Sequence, residues 1–185
     1  MAHRVCPWWI GYLLVSPLRR WVHDPGAIVG PFVTQGMMVL EPGPGMGFFT
    51  LELARRVGPA GRVIAIDVQP KMLEALVRRA KKTGLADRIE ARQTEGDGLG
   101  IKHYAGKIDF VLAFAMIHEV SQSKALLSDI RLAVKPGGTF LIAEPAGQVS
   151  VDAFAATLRL AKESGFVLES QPSIWWSHAA VLVRG

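Results

Sequence analysis

From residue 38 onward, short apolar runs alternate with longer amphipathic stretches, and this alternation limits the chain to a few folds. Strands are predicted for the apolar runs 38–41, 62–67, 88–93, 108–115, 139–145, 166–171 and 178–185. Helices are predicted for the amphipathic stretches 48–57, 70–84, 123–138 and 151–165. Strands that alternate with helices in this way form βαβ units, in which helices cover both faces of a mostly parallel sheet.

The fold class follows from this order of elements. The last two predicted strands have too little chain between them for a helix, so we expect them to form a hairpin. The prediction is therefore an α/β fold with a doubly wound, Rossmann-like, seven-stranded, mostly parallel sheet whose last strand is antiparallel. Ligands of such sheets bind beyond the carboxyl ends of the strands. The loops after residues 41, 67, 93, 113 and 144 are expected to face one site.

The composition fits one domain of ordinary size, because half of the 185 residues are hydrophobic. Cys6 is the single cysteine, which excludes an intrachain disulfide and fits a reducing compartment. The five histidines lack metal-ligand spacing, so we expect no metal site. The reducing compartment that the lone cysteine favours predicts a cytoplasmic location, with membrane association as an option. The net charge is +5, but the densest basic stretch, 55–92, has no interleaved aromatic residues. A solvated helix face explains it better than an anionic partner, which argues against nucleic acid.

Residues 1–35 precede the first predicted strand and form an aromatic segment. Their apolar run, 5–18, is too short to span a bilayer and ends in Ser-Pro-Leu-Arg-Arg-Trp rather than in a signal-peptide cleavage site. The first hypothesis is that 1–35 is an N-terminal helical lid and substrate segment in front of a domain over 36–185. Peripheral membrane contact through residues 5–21 and a dimer contact are the alternatives, and the oligomeric state stays open.

The turn after the first predicted strand contains three alternating glycines behind Glu41. They are Gly43, Gly45 and Gly47. Glycine adopts positive φ and allows close approach of a ligand, and the N–H groups of a strand-to-helix turn favour an anionic or polar group. The dinucleotide fingerprint needs a third glycine where this chain has Phe48, and no P-loop lysine follows. The turn therefore predicts a polar ligand and argues against a nicotinamide dinucleotide.

The pattern Glu-x-Gly-x-Gly-x-Gly resembles motif I of the class I S-adenosylmethionine-dependent methyltransferases. The segments 111–120 and 133–145 are similar to the fourth strand and to the Pro-Gly-Gly turn and fifth strand of that family. The resemblance covers residues 36–185 and is closest to the small-molecule branch called type 11. It implies that the chain binds S-adenosylmethionine and transfers its methyl group to a small-molecule acceptor, with a lipid-like acceptor as one option. The product would be S-adenosylhomocysteine.

The resemblance also implies a set of cofactor-binding residues. Asp67 ends the second predicted strand, where a carboxylate accepts both ribose hydroxyls, and a helix N-cap is the alternative. Val68 and Met72 would contact the adenine, with ordinary packing as the alternative. Asp97 would accept from the adenine amino group, and a plain turn is the alternative. The full set is Glu41, Gly43, Gly45, Gly47, Asp67, Val68, Met72, Gly96, Asp97, Gly98 and Ala113.

Candidates for the acceptor side follow the fourth and fifth predicted strands. His118 is the candidate catalytic base because imidazole titrates near neutral pH, and a packed or capping histidine is the alternative. Glu119 and Glu144 are candidates for orienting a polar acceptor, with a structural role as their alternative. Trp9 and Tyr12 of the N-terminal segment complete the substrate set. The residues after the fourth strand lack the Asn/Asp-Pro-Pro-aromatic motif of members that methylate nucleic-acid amines, which argues against such an acceptor.

The sequence leaves two alternatives to a methyltransferase. A non-catalytic S-adenosylmethionine-binding module would keep the same motifs, because these motifs report binding rather than turnover. A nicotinamide-dependent oxidoreductase is disfavoured by Phe48. The acceptor and the atom that is methylated stay open.

Overall fold

The computed structural model describes residues 23–94 and 98–185. They fall into two compact units, an N-terminal unit and a C-terminal unit, whose boundary lies between Glu95 and Gly96. The division at residue 35 stays a prediction. Predictions that lie outside the described residues are those for Trp9, Tyr12, Gly96, Asp97, the membrane-contact segment up to residue 21 and most of the lid.

The N-terminal unit contains parallel strands and the helices that connect them. The strands are β1 (Met38–Pro42), β2 (Arg62–Asp67) and β3 (Ile89–Gln93). The helices are α1 (Pro25–Val29), α2 (Thr50–Val57) and α3 (Pro70–Lys82), followed by a 3-10 turn at Ala86–Arg88. β2 pairs with both β1 and β3, and its residues 63–66 are at most 2% exposed. Such a continuous apolar run is expected for a parallel strand that is covered on both faces.

Helix α3 begins and ends at residues that favour helix termini. Pro70 occupies the first turn, where its missing N–H costs no hydrogen bond. Gly84 follows the helix with a φ of 68°, in the left-handed region that ends many helices. Between these ends, Leu73 and Leu76 pack against Ala65 of β2. This packing fixes the helix that follows the carboxyl end of β2.

The C-terminal unit contains the remaining strands. They are β4 (Ile108–Phe114), β5 (Val134–Pro145), β6 (Phe166–Ser170) and β7 (Ser177–Arg184). Its helices are α4 (Ser123–Ala133) and α5 (Val151–Glu163), with 3-10 turns at Lys102–Tyr104 and Ile117–Glu119. β4 and β5 are parallel, whereas β7 is antiparallel to its neighbours β5 and β6. The rings of Phe140 and Phe166, 5.4 Å apart, lie in the core of this unit.

The strand order is β3-β2-β1-β4-β5-β7-β6 in a seven-stranded sheet. This order and the antiparallel β7 confirm the predicted α/β, Rossmann-like, mostly parallel fold class. Within each unit, the residues at the carboxyl ends of the parallel strands are therefore those where ligand contacts are expected.

The Pro-Gly-Gly segment differs from the prediction. It was expected to end a helix over 123–138, but α4 ends at Ala133 and β5 begins at Val134. Val134 is fully buried and pairs with Ile108, so its backbone is already extended. The register then jumps to Phe110 opposite Thr139, and the intervening residues 135–138 form an irregularity within the strand. Burial of a β-branched residue thus starts the strand before the glycines.

One alanine at the carboxyl end of β4 has a strained backbone. Ala115 has a φ of 55°, and its N–H donates to the carbonyl oxygen of Ala143 at 2.7 Å. A left-handed conformation costs an L-residue about 1–2 kcal/mol, whereas glycine adopts it freely. We expect Ala115→Gly to raise the free energy of unfolding by about 0.5–1 kcal/mol, after the larger chain entropy of unfolded glycine is subtracted. Urea denaturation measures this change.

The matched control is Ala143→Gly. Ala143 is fully buried in the extended strand β5, so the same substitution should lower stability by about 0.5–1 kcal/mol. A loss of stability in both variants would show that the backbone at Ala115 is not strained.

Candidate functional site

The glycine turn joins β1 to α2. Gly43 donates its N–H to the carbonyl oxygen of Ile66 at 2.8 Å, and Gly47 donates to Pro44 at 3.0 Å. The φ angles of Gly43, Gly45 and Gly47 are 69°, 54° and 83°. All three therefore lie in the left-handed region, which explains the alternating glycines of the sequence.

Two of these glycines are required for different reasons. A Cβ atom on Gly47 would lie 2.3 Å from Cδ1 of Leu76, so this position is needed for packing of the turn against α3. Around Gly45, none of the described residues comes within 4 Å of the place where a Cβ would lie. The backbone at Gly45 is thus open to the close approach of a ligand.

Asp67 is the last residue of β2 and lies beside this open position. Its Oδ2 accepts the N–H of Gly45 at 3.3 Å, and its Oδ1 accepts the N–H of Gln69 at 2.9 Å. The side chain is not the N-cap of α3, because that position is Gln69. Each carboxylate oxygen has two lone pairs, so both can accept a further hydrogen bond. Burial raises the pKa of the Asp67 carboxyl, and the backbone hydrogen bonds from Gln69, Gly45 and Val68 oppose this shift.

The other cofactor candidates of the N-terminal unit differ in their exposure. Val68 is 46% exposed and is available for contact with a ligand. Met72 is 3% exposed and packs with Met46 and Ala75, as expected if its role is ordinary packing. Glu41 is 3% exposed at the end of β1. The ligand contacts of these residues stay predictions.

A residue that the sequence did not single out also supports the turn. The Nη1 of Arg79 on α3 donates to the carbonyl oxygen of Met46. No sequence signal distinguishes this arginine from the other basic residues of the helix.

In the C-terminal unit, the loop before β4 is held by another residue that was not predicted. Oδ2 of Asp129 accepts the N–H of Leu99 at 3.0 Å and would lie 3.2 Å from a Cβ on Gly98. Gly98 therefore lies against α4. Ala113 is fully buried within β4. Both assignments to the cofactor stay predictions.

The acceptor-side candidates meet at the carboxyl ends of β4 and β5. His118 and Glu119 belong to the 3-10 turn Ile117–Glu119 rather than to the start of a long helix. Glu144 of β5 is 1% exposed, and its Oε1 accepts the N–H of Ile117 at 2.8 Å. Its Oε2 contacts Nδ1 of His118. Both oxygens of Glu144 thus bind groups of the protein, which favours a structural role for Glu144 over direct contact with an acceptor.

The electrostatic environment of His118 is acidic. The hydrogen bond to Glu144 raises the pKa of the His118 imidazole, burial opposes this, and the charges of Glu144 and Glu119 add to the increase. Gln148 contributes a weaker hydrogen bond in the same direction. His118 is therefore a partly exposed group with an acidic partner, and its role stays a prediction.

Two absences concern the described part of the chain. Within 23–94 and 98–185, no helix is long and apolar enough to cross a membrane. Over the same residues, no group of three or more His, Cys, Asp or Glu side chains could hold a metal ion.

The structure thus combines a Rossmann-like sheet with a glycine turn after β1, an acidic residue at the end of β2 and an antiparallel β7. Residues 33–178 match the family model described as a methyltransferase domain. The chain belongs to this family. Membership argues against the nicotinamide-dependent alternative.

Solved structures agree with this fold. A SAM dependent methyltransferase from Aquifex aeolicus superposes with a TM-score of 0.87 at 22% identity, covering 98% of this chain and 100% of that one. A SAM-dependent O-methyltransferase from Thermotoga maritima gives a TM-score of 0.69 at 18% identity, covering 87% and 64%.

Curated relatives share more sequence over a shorter stretch. The ubiquinone/menaquinone biosynthesis C-methyltransferase of Idiomarina loihiensis is 30% identical over 118 residues, which cover 64% of this chain and 46% of that protein. The demethylmenaquinone methyltransferase of Lactobacillus johnsonii is 30% identical over 112 residues, covering 60% and 45%. The chain thus spans less than half the length of these relatives.

Proposed function

We propose that this protein transfers a methyl group from S-adenosylmethionine to a small-molecule, lipid-like acceptor. The observation that carries the proposal is the pairing of Gly45 with Asp67. It combines a backbone that a ligand can approach with a carboxylate that can still accept from a ligand.

The residues of the N-terminal unit fit this cofactor. The turn at Gly45, where a ligand can approach the backbone closely, suits the amino-acid end of the cofactor. The Asp67 carboxylate suits the paired hydroxyls of its ribose, and the exposed Val68 offers an apolar contact to its adenine. The sulfonium supplies an already activated methyl group, so the protein has to align the acceptor, exclude water and accept a proton where the acceptor carries one.

Calorimetry tests the cofactor directly. We expect S-adenosylmethionine and S-adenosylhomocysteine to bind, and NAD to give no heat of binding at the same concentrations. Binding of NAD alone, or of none of the three compounds, would overturn the proposal.

The names of the curated relatives support an acceptor with an aromatic head group and a lipid tail. The assay offers demethylmenaquinol in detergent and measures S-adenosylhomocysteine. A water-soluble naphthoquinol without the tail serves as the matched control. Faster turnover of the tailed compound supports the lipid-like acceptor, and equal turnover supports a small aromatic acceptor without lipid recognition.

The same assay tests the non-catalytic binding module. Cofactor binding without turnover of either compound, or of a panel of phenols and amines, would favour that module.

Location and other partners are also proposals. We expect a cytoplasmic protein. We also expect that it does not methylate nucleic-acid amines, since residues 113–116 are Ala-Phe-Ala-Met and lack the motif of enzymes that do. Transfer to bulk ribosomal or transfer RNA in the same assay would contradict this.

A further inference from the structure

His118 and Glu144 lie at neighbouring strand ends of the C-terminal unit. β4 ends at Phe114, which pairs with Ala143 of the parallel strand β5. His118 follows four residues after Phe114, and Glu144 directly follows Ala143. The carboxyl ends of parallel strands are where ligands of this fold class bind, so the pair lies at the edge where chemistry is expected.

The contact between the two side chains fixes the state of the imidazole. A carboxylate has only acceptor positions, so Nδ1 of His118 must carry the proton that it shares with Oε2 of Glu144. The neutral imidazole then has its lone pair on Nε2. The second oxygen of Glu144 is held by the Ile117 N–H, and its burial at 1% exposure keeps the carboxylate in place. Nε2 is therefore the atom that can accept a proton.

Building on the proposed function, we infer that His118 is the catalytic base, acting through Nε2, and that Glu144 is the positioning residue that holds its tautomer and orientation. In the transfer step, a bond forms between the methyl carbon and the acceptor's nucleophilic atom. The bond between that carbon and sulfur breaks, and its electron pair stays on sulfur. The proton of the acceptor moves to Nε2 of His118 and passes later to water.

The groups around His118 predict a pH dependence. Among the described residues, those that act on its ring are Glu144 of β5, Glu119 of the same 3-10 turn and the Gln148 amide after β5. His178 of β7 pairs with Glu144 in the strand register. Because the hydrogen bond to Glu144 raises the pKa of His118, the base is neutral only above that raised value. The acid limb of the rate should therefore lie above pH 6.5, the ordinary value of imidazole.

Nitrogen NMR of the protein without cofactor tests the pair independently of turnover. We expect the neutral form of His118 in the wild type to be the Nδ1–H tautomer, with signals assigned by their loss in His118→Asn. Glu144→Gln should lower the pKa of His118 and populate the Nε2–H tautomer, because an amide group can donate to Nδ1. The control Glu169→Gln, at an exposed position on β6, should change neither. An unchanged tautomer and pKa in Glu144→Gln would overturn the positioning role.

Turnover tests the base. With an acceptor that must lose a proton, His118→Asn should lower kcat by about 100-fold or more, while affinity for S-adenosylhomocysteine stays within about twofold. The deficit should narrow as pH approaches the pKa of the acceptor, since an ionised acceptor needs no base. Glu144→Gln should lower kcat by at least about tenfold and shift the acid limb to lower pH. Wild-type kcat in His118→Asn, or a deficit that does not vary with pH, would overturn the inference.

The two hypotheses fail in different ways. Absence of cofactor binding by calorimetry would overturn the proposed function and leave the NMR result as a test of the His118–Glu144 geometry. Normal cofactor binding and turnover with an inert His118 would overturn only the inference. If Glu144→Gln does not fold, as judged by circular dichroism, His118→Asn still decides the role of the base.

Discussion

Replacing Asp67 with alanine should weaken binding of S-adenosylmethionine by at least about 100-fold, or about 2.7 kcal/mol. The substitution removes the acceptor for two ribose hydroxyls, and hydrogen bonds to a charged group each contribute about 1.5–3 kcal/mol. It also removes the hydrogen bond that the carboxylate accepts from the Gly45 N–H. Calorimetry with S-adenosylmethionine measures the effect.

Asp87→Ala is the matched control for this prediction. Asp87 is exposed in the 3-10 turn before β3, so its loss should leave the affinity unchanged. If Asp67→Ala kept its affinity within about threefold of the wild type, the ribose role of Asp67 would be wrong.

Loss of the Asp67 charge, which should weaken cofactor binding, should instead stabilise the folded protein without cofactor as the pH rises. Burial raises the pKa of Asp67, so the folded state holds this proton more tightly than the unfolded state does. Its contribution to stability is present below the unfolded pKa, about 3.9, and is lost as pH rises through the folded pKa. The stability of Asp67→Asn relative to the wild type should therefore increase from about pH 4 upward and then level off. Urea denaturation at several pH values measures this difference, and a constant difference would contradict it.

Replacing Gly47 with alanine should lower the free energy of unfolding by at least about 2 kcal/mol. The new Cβ would lie 2.3 Å from Cδ1 of the fully buried Leu76, and overpacking of this kind costs about 1–3 kcal/mol. The φ of 83° adds the cost of a left-handed L-residue, about 1–2 kcal/mol. Thermal and urea denaturation measure the loss.

Gly45→Ala separates packing from ligand approach in the same turn. Its φ of 54° predicts a loss of stability of about 1 kcal/mol, because no described residue lies where the Cβ would be. Its affinity for S-adenosylhomocysteine should nevertheless fall by more than about tenfold, because the methyl group would occupy the space left for the ligand. The open side of the turn would not be a ligand site if Gly45→Ala and Gly47→Ala lost the same stability and Gly45→Ala bound the cofactor product normally.

Local patterns allowed much of the fold to be predicted from the sequence. β2 is observed at Arg62–Asp67, the same residues as predicted, because an apolar, β-branched run is bounded by turn residues on both sides. α3 begins at Pro70 as predicted and ends two residues early, where Thr83 and Gly84 terminate it. The positive φ angles of the glycine turn agree with the conformational reason for its spacing.

Contacts between distant residues could not be predicted in the same way. His118 and Glu144 are 26 residues apart, and they meet only because β4 and β5 are neighbours with a shifted register. That shift depends on burial of Val134, which overrides the tendency of the following Pro-Gly-Gly to act as a helix stop. The sequence therefore identified both residues as candidates but could not show that one holds the other.

The irregularity at residues 135–138 provides a place to attach a reporter. Residues 135–137 are exposed, and the strand pairing resumes only at Thr139, so an insertion there interrupts few contacts. Glu144, at the opposite end of β5, lies six residue steps or about 20 Å from Gly138. A peptide epitope or a fluorophore inserted between Pro136 and Gly137 would therefore label the enzyme for assays without blocking its reactive edge.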